Sequence, residues 1–201
     1  MLASKMKNMT ENGFEYVDLG LPSGTMWATC NVGASKPEDE GLLFQFGRVD
    51  GYKYGDNNNQ FKTDDLTTTS GKIYKENEIL DLADDAAHVH MGGKWRMPTK
   101  DDLKELVDNT THRVEAIHGV RGMMFTSNIN GNQLFIPFMQ GYWWNENWED
   151  WNGLYGGVWS SQVYGLYDKC AYVFYQHSHN STYVGCYYRS NAFSVRGVFK
   201  K

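Results

Sequence analysis

Few residues of this chain stand at spacings that chemistry requires. His177 and His179 form an H-x-H pair, and on a strand alternate side chains share a face, so both rings would point the same way. A zinc site needs two further ligands, and none is spaced nearby. His88 and His90 fall at the end of a helical pattern, where positions two apart diverge, so they are expected as surface or capping groups. Cys30, Cys170 and Cys186 are odd in number and match no zinc spacing. They read as free thiols, with Cys170 and Cys186 able to meet on neighbouring strands. The carboxylate pairs Asp84-Asp85 and Asp101-Asp102 suit helix N-termini. No Ser/His/Asp order, phosphate loop or dinucleotide fingerprint occurs. No catalytic residue, metal ligand or cofactor is therefore expected, and the chain reads as a binding module rather than an enzyme.

The stretch that invites a binding role is YQHSHNSTYVGCYYRSN, from Tyr175 to Asn191. It is polar and aromatic together and lacks Lys, Asp, Glu, Met, Trp and Leu. Tyr, Ser, Asn and His on a surface give broad contact and adaptable hydrogen bonds at low entropic cost. The aromatic run WWNENWEDWNG either packs on the domain or sets Tyr142, Trp143 and Trp148 along the border of the binding face.

These residues need a scaffold. With 41% hydrophobic and 21% charged residues in 201, the chain can bury a sizeable core. The 13 Tyr, 7 Trp and 21 Gly suit many short strands joined by tight turns. FEYVDLG, TMWATCNVGA and GLLFQFG read as strands, and Arg48–Ser70 as a long polar loop. One helix is expected within Glu78–His90, ending at Gly92-Gly93. A second follows Thr99, with Asp102 at the capping-box position and Leu103, Leu106 and Val107 as its buried stripe. GMMFTSNINGNQLFIPF is a hairpin turning at Asn130-Gly131, and GGVWSSQV, KCAYVFYQ, TYVGCYYR and FSVRGVF follow as strands. Strands, two helices and a strand-rich second half give an α+β domain with antiparallel sheets. Residues 1–13 are expected as a flexible tail and 14–201 as a single domain, with Trp27, Trp95, Trp159, Phe193 and Val195 in its core.

Net charge is -5, which disfavours nucleic acid as a partner, although Arg189, Arg196, Lys200 and Lys201 follow the last acid, Asp168, and leave the C-terminal part neutral to mildly basic. No apolar run is long enough to insert in a membrane, and MLASKMKNMTENG lacks the apolar run and cleavage context of a signal peptide, so none is expected in it.

Four segments in order carry a resemblance: YVDLGLPSGTMWATCNVGAS, DDAAHVHMGGKWRMPTKDDLKEL, VWSS and RSNAFSVRGVF. Together they resemble the C-type-lectin-fold domains of gut Bacteroidales and their phages, often labelled the Fibrobacter succinogenes major paralogous domain, distant relatives of the formylglycine-generating-enzyme fold. The resemblance implies a C-type lectin fold with two helices and antiparallel β-sheets. Gly197 departs from it, since many relatives carry Pro there.

A subset of these domains are variable proteins of diversity-generating retroelements. A reverse transcriptase miscopies adenines of a template, and the copy replaces the 3′ end of the gene. Codons that begin as AAC or AAT then cannot become Lys, Glu, Gln, Met or Trp. From Ala171 to Phe199 only Gln176 belongs to that excluded set, where average usage would supply roughly five or six. The resemblance thus implies a variable region at about 160–199. The ligand-binding positions would be Val163, Tyr164, Leu166, Tyr167, Val173, Tyr175, His177, His179, Asn180, Tyr183, Gly185, Cys186, Tyr187, Tyr188 and Ser190. The partner would be a protein or glycan on a cell surface, with the chain on a phage virion or a bacterial surface, held by a partner or delivered by a removed leader.

Two alternatives stay open. One is a non-varying extracellular adhesion or glycan-binding domain of the same fold. The other is a sulfatase-modifying-type enzyme, which needs two cysteines a few residues apart, whereas Cys170 and Cys186 are sixteen apart. Calcium-dependent lectins carry Glu-Pro-Asn or Gln-Pro-Asp with Trp-Asn-Asp, and none of these tripeptides occurs here.

Overall fold

The computed structural model describes residues 9–53, 66–138, 155–177 and 179–201. Among them, twelve strands form three sheets, with two short α-helices between the fourth and fifth strands. The first sheet runs in the order β1 (Met9–Glu11), β2 (Phe14–Asp18), β3 (Thr25–Asn31), β12 (Arg196–Lys200), antiparallel throughout. It joins the first described strands to the last. The second runs β10 (Ser181–Tyr188), β9 (Cys170–His177), β8 (Tyr155–Val163), β11 (Ala192–Ser194), β4 (Leu43–Gln45), antiparallel except where β11 meets β8. The third is a meander of β5 (Thr110–Ile117), β6 (Val120–Ser127) and β7 (Gln133–Pro137). The architecture is α+β.

Met9–Glu11 pairs with Phe14–Tyr16, so regular structure begins inside the expected tail. The Trp95 indole N–H reinforces this edge by donating to the Glu11 carbonyl at 2.9 Å.

Helix α2 (Lys100–Asp108) follows its sequence signal closely. The Thr99 hydroxyl accepts the Asp102 N–H at 3.2 Å, and the Asp102 carboxylate accepts the Thr99 N–H at 2.8 Å. Leu103 and Leu106 are buried. Helix α1 (Ala86–Met91) is shorter than its apolar spacing implies. Ile79, whose spacing to Ala83, Ala86 and Ala87 reads as a buried stripe, is 49% exposed, while Ala86 and Ala87 are buried. The chain ahead of the helix is held against a strand instead. Ile79 bridges Gln162, and the Leu80 N–H donates to the Ser161 carbonyl at 2.8 Å. Asp85 then caps α1 by accepting the His88 N–H, and Gly92 and Gly93, at φ +66 and +57, end it.

Strand alternation divides the apolar residues between two cores. Trp159, Val173 and Tyr175 join Phe44, Phe193, Met26, Trp95 and Phe199 in one. Val158 and Phe174 join Trp27, Val198, Leu103, Leu106, Phe125 and Ile136 in the other. Neighbours along a strand thus serve opposite cores, so the second sheet is covered on both faces.

Candidate binding surface on the C-terminal hairpin

The hairpin β9–β10 carries most of the expected binding positions. Its register sets His177 against Ser181, Tyr175 against Tyr183, Val173 against Gly185 and Ala171 against Tyr187. These eight residues share one face. Cys170, Tyr172, Phe174 and Gln176 lie on the other, opposite Tyr188, Cys186, Val184 and Thr182.

On the first face the rings form a ladder that descends from solvent into the core. Tyr183, 49% exposed, packs on Tyr175 with centroids 5.1 Å apart. Tyr187 stacks on the other side of Tyr175 at 5.7 Å and 18°. It meets Phe193 edge-on at 5.4 Å, and Phe193 meets Trp159 edge-on at 4.8 Å. Trp159 is fixed in turn by its indole N–H, which donates to the Phe44 carbonyl at 2.7 Å. Gly185 leaves room for the ladder. A Cβ there would come within 2.9 Å of the Tyr183 ring.

The turn at the tip adds two imidazoles. His177 and His179 stack at 4.4 Å, with their Nδ1 atoms 2.6 Å apart, so one ring donates and the other accepts. Among the described residues no group of three His, Cys, Asp or Glu side chains is placed to hold a metal ion. Asn180 has φ +60, and its side-chain oxygen accepts the Val114 N–H at 2.6 Å. It ties the tip to β5.

The opposite face has a smaller aromatic group. Tyr164 packs edge-on against Tyr172 at 5.1 Å, and Tyr167 against Tyr188 at 6.4 Å. Lys100 Nζ lies 5.3 Å over the Tyr172 ring, and Leu166 is 83% exposed. Tyr172 was not among the expected positions, yet its register beside Cys186 and Tyr188 puts it in this group.

The structure therefore divides the expected site. His177, His179, Tyr183, Gly185 and Tyr187 come together over Tyr175. Tyr164, Leu166, Tyr167, Cys186 and Tyr188 gather on the far side. Val163 and Val173 are fully buried and Tyr175 is 7% exposed, so these three belong to the core and not to a ligand-facing surface. Alternation turns Val173 and Tyr175 inward, and the Val163 N–H is engaged by the Glu78 carbonyl. Ser190 is half-buried, and its carbonyl accepts the Gln45 side-chain amide at 2.7 Å. Tyr142, Trp143 and Trp148 lie outside the described residues.

The basic character expected of the C-terminal part does not reach this surface. The Arg189 guanidinium is buried and donates to the carbonyls of Leu66, Tyr74 and Asp168. Arg196 is fully buried, donates to the carbonyls of Ala28 and Phe135, and is shifted below the usual arginine range by that burial. Lys201 pairs with Asp18 at 3.0 Å. Strand β10 itself, STYVGCYY, bears no formal charge. It offers a ligand rings and hydroxyls, and it has no cation for a phosphate backbone.

No protein-family model, curated protein or solved structure matches the chain. Among the described residues no helix is long and apolar enough to cross a membrane.

Proposed function

We propose that the chain is a C-type-lectin-fold binding module. Its β9–β10 hairpin presents Tyr183, Tyr187, His177 and His179 to a protein or glycan on a cell surface, and its exposed C-terminal positions are diversified by a retroelement. The observation that carries this reading is the ladder, in which exposed Tyr183 rests on buried Tyr175, and Tyr175 is held by half-buried Tyr187 and the fixed core below it. Side chains at the top of such a ladder can be exchanged without disturbing its foot. The pairing of the first strands with the last, with the helices lying between them in sequence, agrees with the fold. The residue bias agrees with the mechanism of diversification. Gln176, the one residue of Ala171–Phe199 outside the adenine-accessible set, is fully buried, where a fixed residue belongs.

Sequencing the 3′ end of the gene across many cells of one culture tests the diversification. Changes should fall at Tyr164, Leu166, Tyr167, His177, His179, Tyr183, Tyr187 and Tyr188, and spare Val163, Val173, Tyr175 and Gln176. Uniform sequence throughout would leave a fixed adhesion domain. A display or glycan-array screen followed by titration tests the surface. Replacing Tyr183 and His179 by Ala should weaken a partner by about 2 kcal/mol, with EDTA having no effect. A partner lost on Tyr167→Ala and Tyr188→Ala instead would transfer the site to the opposite face.

A further inference from the structure

Cys170 and Cys186 lie on adjacent strands, on the face shared with Phe174 and Val184. Cys170 pairs with Tyr188 and Cys186 with Tyr172, so the two thiols are diagonal neighbours, one step apart along that face. Right-handed twist of a strand pair draws one diagonal together and opens the other. Cys186 acts on Cys170 as a side-chain hydrogen-bond partner, so the two thiols meet across their diagonal. Burial, and then Cys186 itself as a charge and hydrogen-bond partner, push the Cys170 thiol up to about 11. Cys170 is 8% exposed, whereas Cys186 is half-buried and reachable from solvent. The third thiol, Cys30, is on the other large sheet.

We infer that Cys170 and Cys186 form a dithiol that a small-molecule disulfide oxidises to a reversible cross-strand bridge. The Cys186 thiolate attacks one sulfur of the oxidant RSSR, releasing RS⁻, which takes up the proton Cys186 has lost. The mixed disulfide Cys186–S–S–R then faces Cys170. Cys170 loses its proton and attacks the Cys186 sulfur, and the second RSH leaves. Two protein thiols are oxidised, one RSSR is reduced to two RSH, and one S–S bond joins β9 to β10. The bridge closes the segment that contains the hairpin tip, and fixes the outermost strand of the sheet to its neighbour.

The test uses the full chain with Cys30→Ser, treated with oxidised glutathione and analysed by mass spectrometry and non-reducing peptide mapping. The expected product is a monomer that has lost two hydrogens, with the Cys170 and Cys186 peptides joined and separated again by dithiothreitol. Its melting temperature should rise by about 5 °C. Cys170→Ser should trap one glutathione on Cys186, and Cys186→Ser should take up none. Cys170→Ala replaces the serine variant if that one does not fold. Glutathione retained on Cys186 while Cys170 is present, a bridge between two chains, or two thiols that both persist would each overturn the inference. None of these readouts depends on a bound partner, so the inference stands or falls separately from the proposed binding role.

Discussion

At the foot of α2, Asp102 accepts from the Arg96 guanidinium at 2.7 Å, from the Thr99 N–H and hydroxyl at 2.8 and 2.7 Å, and from the Thr25 hydroxyl at 3.1 Å. In the hairpin, Tyr183 and His179 stand at the surface on rings beneath or beside them. The first region uses polarity to fix geometry. Each partner there is specified, because a buried carboxylate left short of donors is costly. The second region rests on ring contacts that many side chains could replace. A protein that must hold its shape while changing what it touches needs both regions, kept apart. Here the capped helix packs on one side of the sheet and the tyrosine ladder rises from the other.

The contrast breaks most severely at the ladder's foot. Trp159→Ala removes a fully buried indole, its bond to Phe44 and its contacts with Phe46 and Phe193. A loss of about 3–5 kcal/mol is expected in chemical denaturation. Trp95→Ala should cost about as much and should also release β1, since the Glu11 carbonyl loses its donor. Hydrogen exchange at Met9–Glu11 would report that second effect.

Asp102→Ala ranks next, at about 2–3 kcal/mol, because Arg96 and two threonines lose an acceptor in a buried place. Its pH signature separates it from Asp85. Burial pushes Asp102 up, but Arg96 and Thr99 outweigh it and hold the carboxyl below its ordinary 3.8. The stability it contributes is complete above pH 3.8 and is lost as pH falls through the lower folded value. Asp85 is shifted the other way, raised by burial against the opposing N–H groups of His88 and Met97. It makes the fold lose stability as pH rises from 3.8 through the raised value. Melts between pH 2 and 6 should lose the acid-side fall with Asp102→Asn and the opposite slope with Asp85→Asn.

Tyr187 sharpens the comparison because it stands between the two regions. Its residue type and position read as surface, but the ring is half-buried between Tyr175 and Phe193. Tyr187→Ala should cost about 1–2 kcal/mol and Tyr187→Phe well under 1. If Tyr187→Ala cost nothing, the ladder would not be mechanically connected to the core.

Where local chemistry decided the structure, the sequence was readable. The capping box at Thr99 and Asp102, the Asn130-Gly131 turn and the buried Trp27, Trp95 and Trp159 all rest on residues with few other good options. Strand β5 carries no strong sequence signal, although Thr110–Ile117 is compatible with a strand. Its turn, His118-Gly119, takes two positive φ angles without the usual Asn-Gly pair. Helix α1 is shorter than the pattern implies because Ile79, at helical spacing to Ala83 and Ala86, is captured by a bridge to Gln162, more than eighty residues away. Most of the expected binding positions fall on one hairpin, but residue bias does not divide them between its faces. Residue bias marks a stretch of chain, while facing depends on register, and the register with β8 is interrupted between Trp159 and Val163. Period two sets Tyr172, Cys186 and Tyr188 on one face and Tyr175, Tyr183 and Tyr187 on the other.

The smallest expected effect is the most informative. Tyr183→Ala and His179→Ala should each change stability by about 0.5 kcal/mol or less. Tyr183 gives up one face of a stack and leaves Tyr175 pinned by Tyr187. His179 gives up a ring contact and a bond at a turn that Asn180 still ties to Val114. Both losses occur where water takes over the exposed groups. Chemical denaturation of the two single variants and the double variant, with Trp159→Ala alongside, provides the scale. Near-additive small losses would mark the tip as replaceable, as a diversified surface requires. A loss above about 2 kcal/mol for either residue would place it with the core, and the exchangeable surface would then shrink to Leu166, Tyr167 and Tyr188 on the other face.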